Sequence, residues 1–247
     1  MTDALRGGDT APAAAIAEEQ ARRRSISLGS ALAEFARHPS PWVLSLLAVG
    51  SLVARVVHGD WQVSDAVLPV AMVAVFPVYE WLIHVFVLHA KPKRLGPLKL
   101  DSILARKHRA HHADPRNVPL VFIPWQALPW IVPSTIAIAV FAFPRLGLGL
   151  TYLVAISTSG IVYEWVHFLV HSDYRPRTRL YRAVWNNHRL HHYKNEHYWF
   201  TVTTSGTADR LLRTHPDPTT VPKSATARNL HALSDVGDPE PVGATRA

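Results

Sequence analysis

Gly147 to His171 read GLGLTYLVAISTSGIVYEWVHFLVH. The stretch carries no charge until Glu164 and closes on two histidines, His167 and His171. A bilayer core needs about 20 apolar residues in a helix, so this segment can cross a membrane and deliver both histidines at its far end. Three more apolar stretches precede it: Trp42 to Val57, Ala66 to Ala90 and Val118 to Phe143. The first is short for a span, and Arg55 near its end has to snorkel or pair. The third is uncharged over 26 residues, which is unusual for a soluble domain of this size. Its four prolines, Pro119, Pro124, Pro129 and Pro133, predict a first half that is kinked or re-entrant. The expected fold is all-α: four transmembrane helices carrying a cytoplasmic, histidine-rich helical cap.

The distribution of Lys and Arg predicts the orientation. Lys91 to Arg116 holds eight of them and the region after Val170 eleven. His58 to Asp65 and Pro144 to Leu146 hold Arg145 alone. Loops rich in Lys and Arg stay cytoplasmic, which predicts a multi-pass protein of the cytoplasmic membrane with both termini inside. The net charge of +8 is read as this loop asymmetry, and no nucleic-acid partner is expected. Cysteine is absent, which excludes disulfides, thiolate metal sites and cysteine nucleophiles. No secretory signal is legible in the first 40 residues, where Glu18, Glu19, Arg22, Arg23 and Arg24 interrupt any apolar run.

Three regions follow. Residues 1–40 read as a partly disordered cytoplasmic arm, with a short amphipathic helix over Ala31 to Arg37 ended by Pro39 and Pro41. Residues 41–214 read as the membrane-embedded domain. Residues 215–247, punctuated by Pro216, Pro218, Pro222, Pro239 and Pro241, read as an irregular tail.

Ten of the 15 histidines fall into four clusters. His84 and His89 form H-x4-H; His108, His111 and His112 form H-x2-H-H. His167 and His171 form H-x3-H; His188, His191 and His192 form H-x2-H-H again. Positions i, i+3 and i+4 share a helix face, so each triplet presents three imidazoles to one side. His84 and His89 are about 140° out of phase on an ideal helix. They converge only if the helix ends or bulges between them. The two pairs end spans that run the same way, and the triplets follow directly, so all ten can meet at one membrane surface. The halves echo one another: Val78-Tyr79-Glu80-Trp81 against Val162-Tyr163-Glu164-Trp165, and His108-Arg109-Ala110-His111-His112 against His188-Arg189-Leu190-His191-His192. Ten donors exceed the four to six that one ion takes, which points to two ions. Glu80 and Glu164 either fix imidazole tautomers or pair with arginines. Asp114 and Asp173 are weaker candidates for the first role. His197 is read as a non-ligand. Tyr198-Trp199-Phe200 either docks on the membrane, lines an acyl channel or packs over the site.

These clusters, in this order after membrane spans, resemble the fatty acid hydroxylase and sterol desaturase superfamily from about His84 to Thr214. The stretch from His191 to Phe200 and the Asp209-Arg210 pair look like its bacterial members. The resemblance implies a non-haem di-iron centre held by the ten clustered histidines, with zinc as a possible substitute. It implies dioxygen as oxidant and hydroxylation or desaturation of a lipid. Residues 1–40 have no room for a fused haem domain, so a separate electron-donor protein is expected. Carotenoid hydroxylases usually space the third cluster H-x4-H. The H-x3-H here favours a fatty acyl or sterol-like substrate, with a carotenoid as the alternative. A metal-binding or metal-transport membrane protein is the non-enzymatic rival, and it would place its polar ligands along the span. The H-E-x-x-H motif of a membrane zinc protease is absent.

Overall fold

The computed structural model describes residues 26–232. The expectation of disorder in the arm falls largely on residues 1–25, and the end of the tail on 233–247; both lie outside the described residues.

Helix α1 (Leu28–Phe35) opens on a capping box in which Ser27 and Ser30 satisfy each other's backbone N–H groups. Pro39 and Pro41 do more than stop it. They lie in the first turn of α2 (Pro39–His58), where a missing N–H costs nothing. Helix α3 (Val63–Ile83) runs into a π-helical turn, His84–Leu88. A short hairpin, β1 (Lys93–Leu95) and β2 (Leu98–Leu100), leads to α4 (Ile103–Ala113). Two 3₁₀ turns, Val118–Leu120 and Trp125–Ala127, precede α5 (Leu128–Phe141). The proline-broken first half of the third apolar stretch is thus irregular, as its sequence predicts. Helix α6 (Leu146–His171) follows, then α7 (Arg179–Tyr193) and the single turn α8 (Thr207–Leu211). The described residues are mostly helical, as the all-α expectation has it, and their strand content is one short hairpin.

Four segments are long and apolar enough to cross a membrane: Pro39–His58, Val63–Leu88, Val118–Phe141 and Leu146–His171. Their outward faces carry large apolar side chains. Val70 is 71% and Val73 69% exposed, a surface that water does not tolerate over four helices and a bilayer covers. Helix α6 is the axis, packed by α2, α3 and α5. At 26 residues it is about 39 Å long, more than a hydrocarbon core of ~30 Å.

The end away from the histidines is pinned by charge. Arg55 Nη2 and Arg145 Nη2 both donate to Asp65 Oδ2, at 2.8 and 2.6 Å. Thr151 Oγ1 donates to Asp65 Oδ1 at 2.9 Å. Arg55 is buried, and of its two expected options it takes pairing. This network joins α2, α3 and α6 at the opposite end from the site, which sets their relative heights.

Candidate metal centre

All ten clustered histidines converge. They form two groups: His84, His89, His108, His112 and His191, and His111, His167, His171, His188 and His192. Within each group the candidate donor nitrogens lie within 4.8 Å of one another. Eight of the ten are buried, and His89 and His171 are partly exposed.

Each group draws on both halves of the chain. In α4, His108 and His112, four apart, join the preceding pair, while His111 crosses to the second group. In α7, His188 and His192 join their own pair, and His191 crosses to the first group. A division into two self-contained halves therefore does not describe the site. Successive positions on a helix point about 100° apart, so adjacent histidines such as His111 and His112 serve different centres. The π turn does what H-x4-H requires. His89 N donates to His84 O at 3.0 Å, an i→i+5 bond that brings the two rings to 4.9 Å.

The imidazoles face inward by Nε2. His84 and His108 approach at 3.1 Å, His108 and His112 at 3.2 Å, and His191 comes within 3.2 Å of both His89 and His112. In the second group His111 and His188 lie 3.1 and 2.9 Å from His171, and His192 3.0 Å from His188. Outward, Nδ1 donates to backbone carbonyls: His84 to Phe200 O at 2.6 Å, His112 to Ala227 O at 2.9 Å, His167 to Val121 O at 3.0 Å and His191 to Tyr198 O at 2.8 Å. A carbonyl can only accept, so these four rings carry their proton on Nδ1 and aim a bare lone pair inward. Lone pairs facing each other at about 3 Å repel unless a cation sits among them. Bonds of ~2.1 Å meeting near ~90° would place neighbouring nitrogens ~3.0 Å apart, which is the spacing observed. The donor set fits a metal ion in each group.

Burial keeps the cap imidazoles neutral. It holds His191 down at about 4 and pushes His89, His108, His111, His112, His188 and His192 well below the ordinary imidazole range, helped by the neighbouring rings.

Glu80 and Glu164 do neither thing expected of them. Glu80 accepts from the backbone N–H groups of Val202 and Thr203 and from Thr203 Oγ1. Glu164 accepts from Ile123 N at 2.8 Å and Ser40 Oγ at 2.6 Å. Each carboxylate thereby holds the backbone two residues beyond a carbonyl that orients a histidine, Phe200 O for His84 and Val121 O for His167. The Val-Tyr-Glu-Trp echo in the sequence is this repeated clamp. Asp209, buried, adds a second hold on the same strap, accepting from Phe200 N at 2.8 Å and Thr201 N at 2.9 Å. Asp114 accepts from Arg116 N, and Asp173 lies 4.0 Å from Arg116 Nη2.

Trp199 and Phe200 are buried, and Phe200 packs its ring 5.5 Å from His84 and 5.2 Å from His191. Of the three readings open for that segment, packing over the site is the one its buried Trp199 and Phe200 take. His197 stands outside both groups with its side chain 67% exposed. Residues 224–231, not singled out in the sequence, also touch the site. Arg228 donates to His112 O at 2.8 Å, His231 Nε2 to His89 O at 3.0 Å, and Ser224 and Thr226 to Glu196. Only the isolated His231 could have signalled this, and it carries no motif.

An apolar cavity of about 310 Å³ runs between the spans. Phe76, Ile83, Ile131, Val132, Ile156 and Tyr163 line it, and it reaches His108 of the first group and His167 of the second. A family model described as "Fatty acid hydroxylase" matches residues 69–214. The chain belongs to the fatty acid hydroxylase family. Among solved structures, one described as "Full length scs7p (only hydroxylase domain visible)" shares the fold, with a TM-score of 0.61 at 21% identity, covering 75% of this chain and 68% of that one. No curated protein matches the chain. Membership makes the protein a lipid hydroxylase of a membrane setting whose histidines can hold metal.

Proposed function

We propose that this family member is a multi-pass di-iron oxygenase of the cytoplasmic membrane that uses dioxygen to hydroxylate an acyl or sterol-like lipid. The observation that carries the reading is the cavity: it is apolar, and it meets one imidazole from each group, His108 and His167. A lipid chain in it would lie against both centres. The ten clustered histidines would be the ligands. Five donors per group suit a metal that accepts five or six ligands better than zinc, which takes four in structural sites. Iron held there would supply the oxidising power to break an unactivated C–H bond. The chain's own tasks are to hold ten neutral imidazoles, four of them at a fixed tautomer, to seat the lipid and to keep water from the reacting carbon. Electrons would come from a separate protein, and His89 and His171, partly exposed, are the ring edges nearest to it. The Lys and Arg of the histidine-bearing side orient that side to the cytoplasm.

The test is direct. Protein in lipid nanodiscs should hold two irons per chain and, with a reductant, consume dioxygen and return a lipid one oxygen atom heavier. A product two hydrogens lighter would make it a desaturase. Metal flux across vesicles without any lipid product would overturn the reading in favour of transport.

A further inference from the structure

Between Ala90 and Asp101 the chain makes an excursion that takes no part in the protein's own core. Lys93, Arg94 and Leu95 pair with Leu100, Lys99 and Leu98, and all six are exposed. Gly96, at φ +59, provides the left-handed residue that a two-residue turn with Pro97 needs. Strand side chains alternate, so Leu95, Leu98 and Leu100 share one face with Lys93, while Arg94 and Lys99 occupy the other. The three leucines are 69%, 56% and 46% exposed. A lone two-stranded hairpin is marginal in water, and among the described residues nothing buries this one.

Its base, in contrast, is fixed. Arg109 Nη1 donates to Ala90 O at 3.3 Å, and Arg109 Nη2 donates to both oxygens of Asp101 at 2.7 and 2.6 Å. That ion pair is buried, so one side chain clamps both feet of the excursion. The hairpin starts five residues after Leu88, where a candidate span ends. It leads into α4, whose Leu104 and Lys107 line the lipid cavity. It therefore sits at the level where a bilayer surface meets the cavity's edge. From Ala90 to Leu100 the sequence holds Lys91, Lys93, Arg94 and Lys99 and no acidic residue.

We propose that the Lys93–Leu100 hairpin is a membrane-surface finger. Its leucine face dips into the leaflet on the histidine side, and Arg94 and Lys99, on the other face, pair with anionic lipid headgroups beside the cavity. The proposal rests on the membrane reading given above.

The chain's lack of cysteine makes the test clean. An environment-sensitive fluorophore is attached to single variants Leu98→Cys, Lys99→Cys and, on the outward face of α3, Val73→Cys, each in nanodiscs containing phosphatidylglycerol. The Leu98 and Val73 labels should be quenched by doxyl lipids and spared by aqueous iodide, with the Lys99 label several-fold more open to iodide. In nanodiscs of phosphatidylcholine alone, or with R94E/K99E in the Leu98→Cys background, lipid quenching at Leu98 should drop while that at Val73 stays. Iodide quenching at Leu98 with lipid quenching at Val73 overturns the finger and leaves the spans intact. Iodide quenching at both overturns the spans as well. A Leu98 label shielded from both quenchers means a protein surface covers the hairpin, which also overturns the proposal.

Discussion

At the scale of single residues, the site depends on atoms that carry no side-chain identity. Phe200 O, Tyr198 O, Val121 O and Ala227 O fix four imidazoles, and Glu80 and Glu164 fix the backbone that presents two of those carbonyls. Replacing Glu80 by Ala leaves the N–H groups of Val202 and Thr203 without their acceptor, at about 1–3 kcal/mol for the buried one at Val202. Glu80→Ala should therefore lower metal retention in the first group; metal analysis after dialysis against a chelator should show the loss. Glu164→Ala should do the same to the second group through Ile123. Retention equal to the parent in both variants would remove the clamp's role. The cap histidines make acid a second lever. In the unfolded chain they protonate at the ordinary value of 6.5, whereas folded His191 waits until about 4. Between those values the unfolded state binds more protons, so stability is full above 6.5 and is lost as pH falls toward 4. The thermal midpoint of metal-stripped protein should fall steadily across that window. Loaded protein should release metal there too, because protons compete for Nε2. A midpoint flat from pH 7 to about 5 would contradict the buried neutral rings.

Among the elements, the close packing of α5 on α6 sets where the histidines of α6 arrive. A Cβ built on Gly149 would fall 1.9 Å from Ala139 O, a backbone atom that no rotamer change can move. Small residues permit such approaches between membrane helices. Gly149→Ala should part the two helices, costing about 1–3 kcal/mol or more as overpacking does. A lowered unfolding temperature in detergent checks it, and an unchanged one would mean the helices slide freely. The elements also show what a sequence can and cannot display. The spans were legible because uncharged runs of this length have few other uses, and the broken third span because three of its four prolines fall in its first half. That the helix ends or bulges between His84 and His89 was legible because residues five apart cannot otherwise share a face; that it bulges was not. The meeting of ten histidines followed from span direction, but their exchange between halves did not, since it depends on how α4 and α7 cross. The hairpin at Lys93–Leu100 has no alternating strand pattern and read as a basic loop. The strap from Ser224 to His231 works through Ala227 O and a backbone-directed Arg228, and a backbone carbonyl is the same in every residue.

The whole molecule sets a chemical centre against a length. Along helix α6 the cavity's lining runs from His167 to Ser157 and Ile156, the lining residues of this helix farthest from the histidines. Ten residues of helix separate His167 from Ser157, about 15 Å. On the proposed reading, a lipid chain lying against the centres would extend down α6 only to this floor of Ser157 and Ile156, which would then select the substrate by length. Ser157 is buried and directs its hydroxyl to the helix's own carbonyl at Leu153, which leaves no polar claim on the ligand. Ser157→Trp would raise the floor by a bulky ring without touching a histidine, a clamp or the Arg55–Asp65–Arg145 lock. Hydrophobic pockets discriminate about 10-fold or more per methylene that no longer fits. The ratio of kcat/KM for short over long acyl chains should therefore rise by about tenfold or more, with metal content unchanged. If both chain lengths lose activity equally, the cavity does not measure its substrate. If neither changes, the lipid reaches the centres by another route, because a chain lying in this cavity could not avoid the added ring.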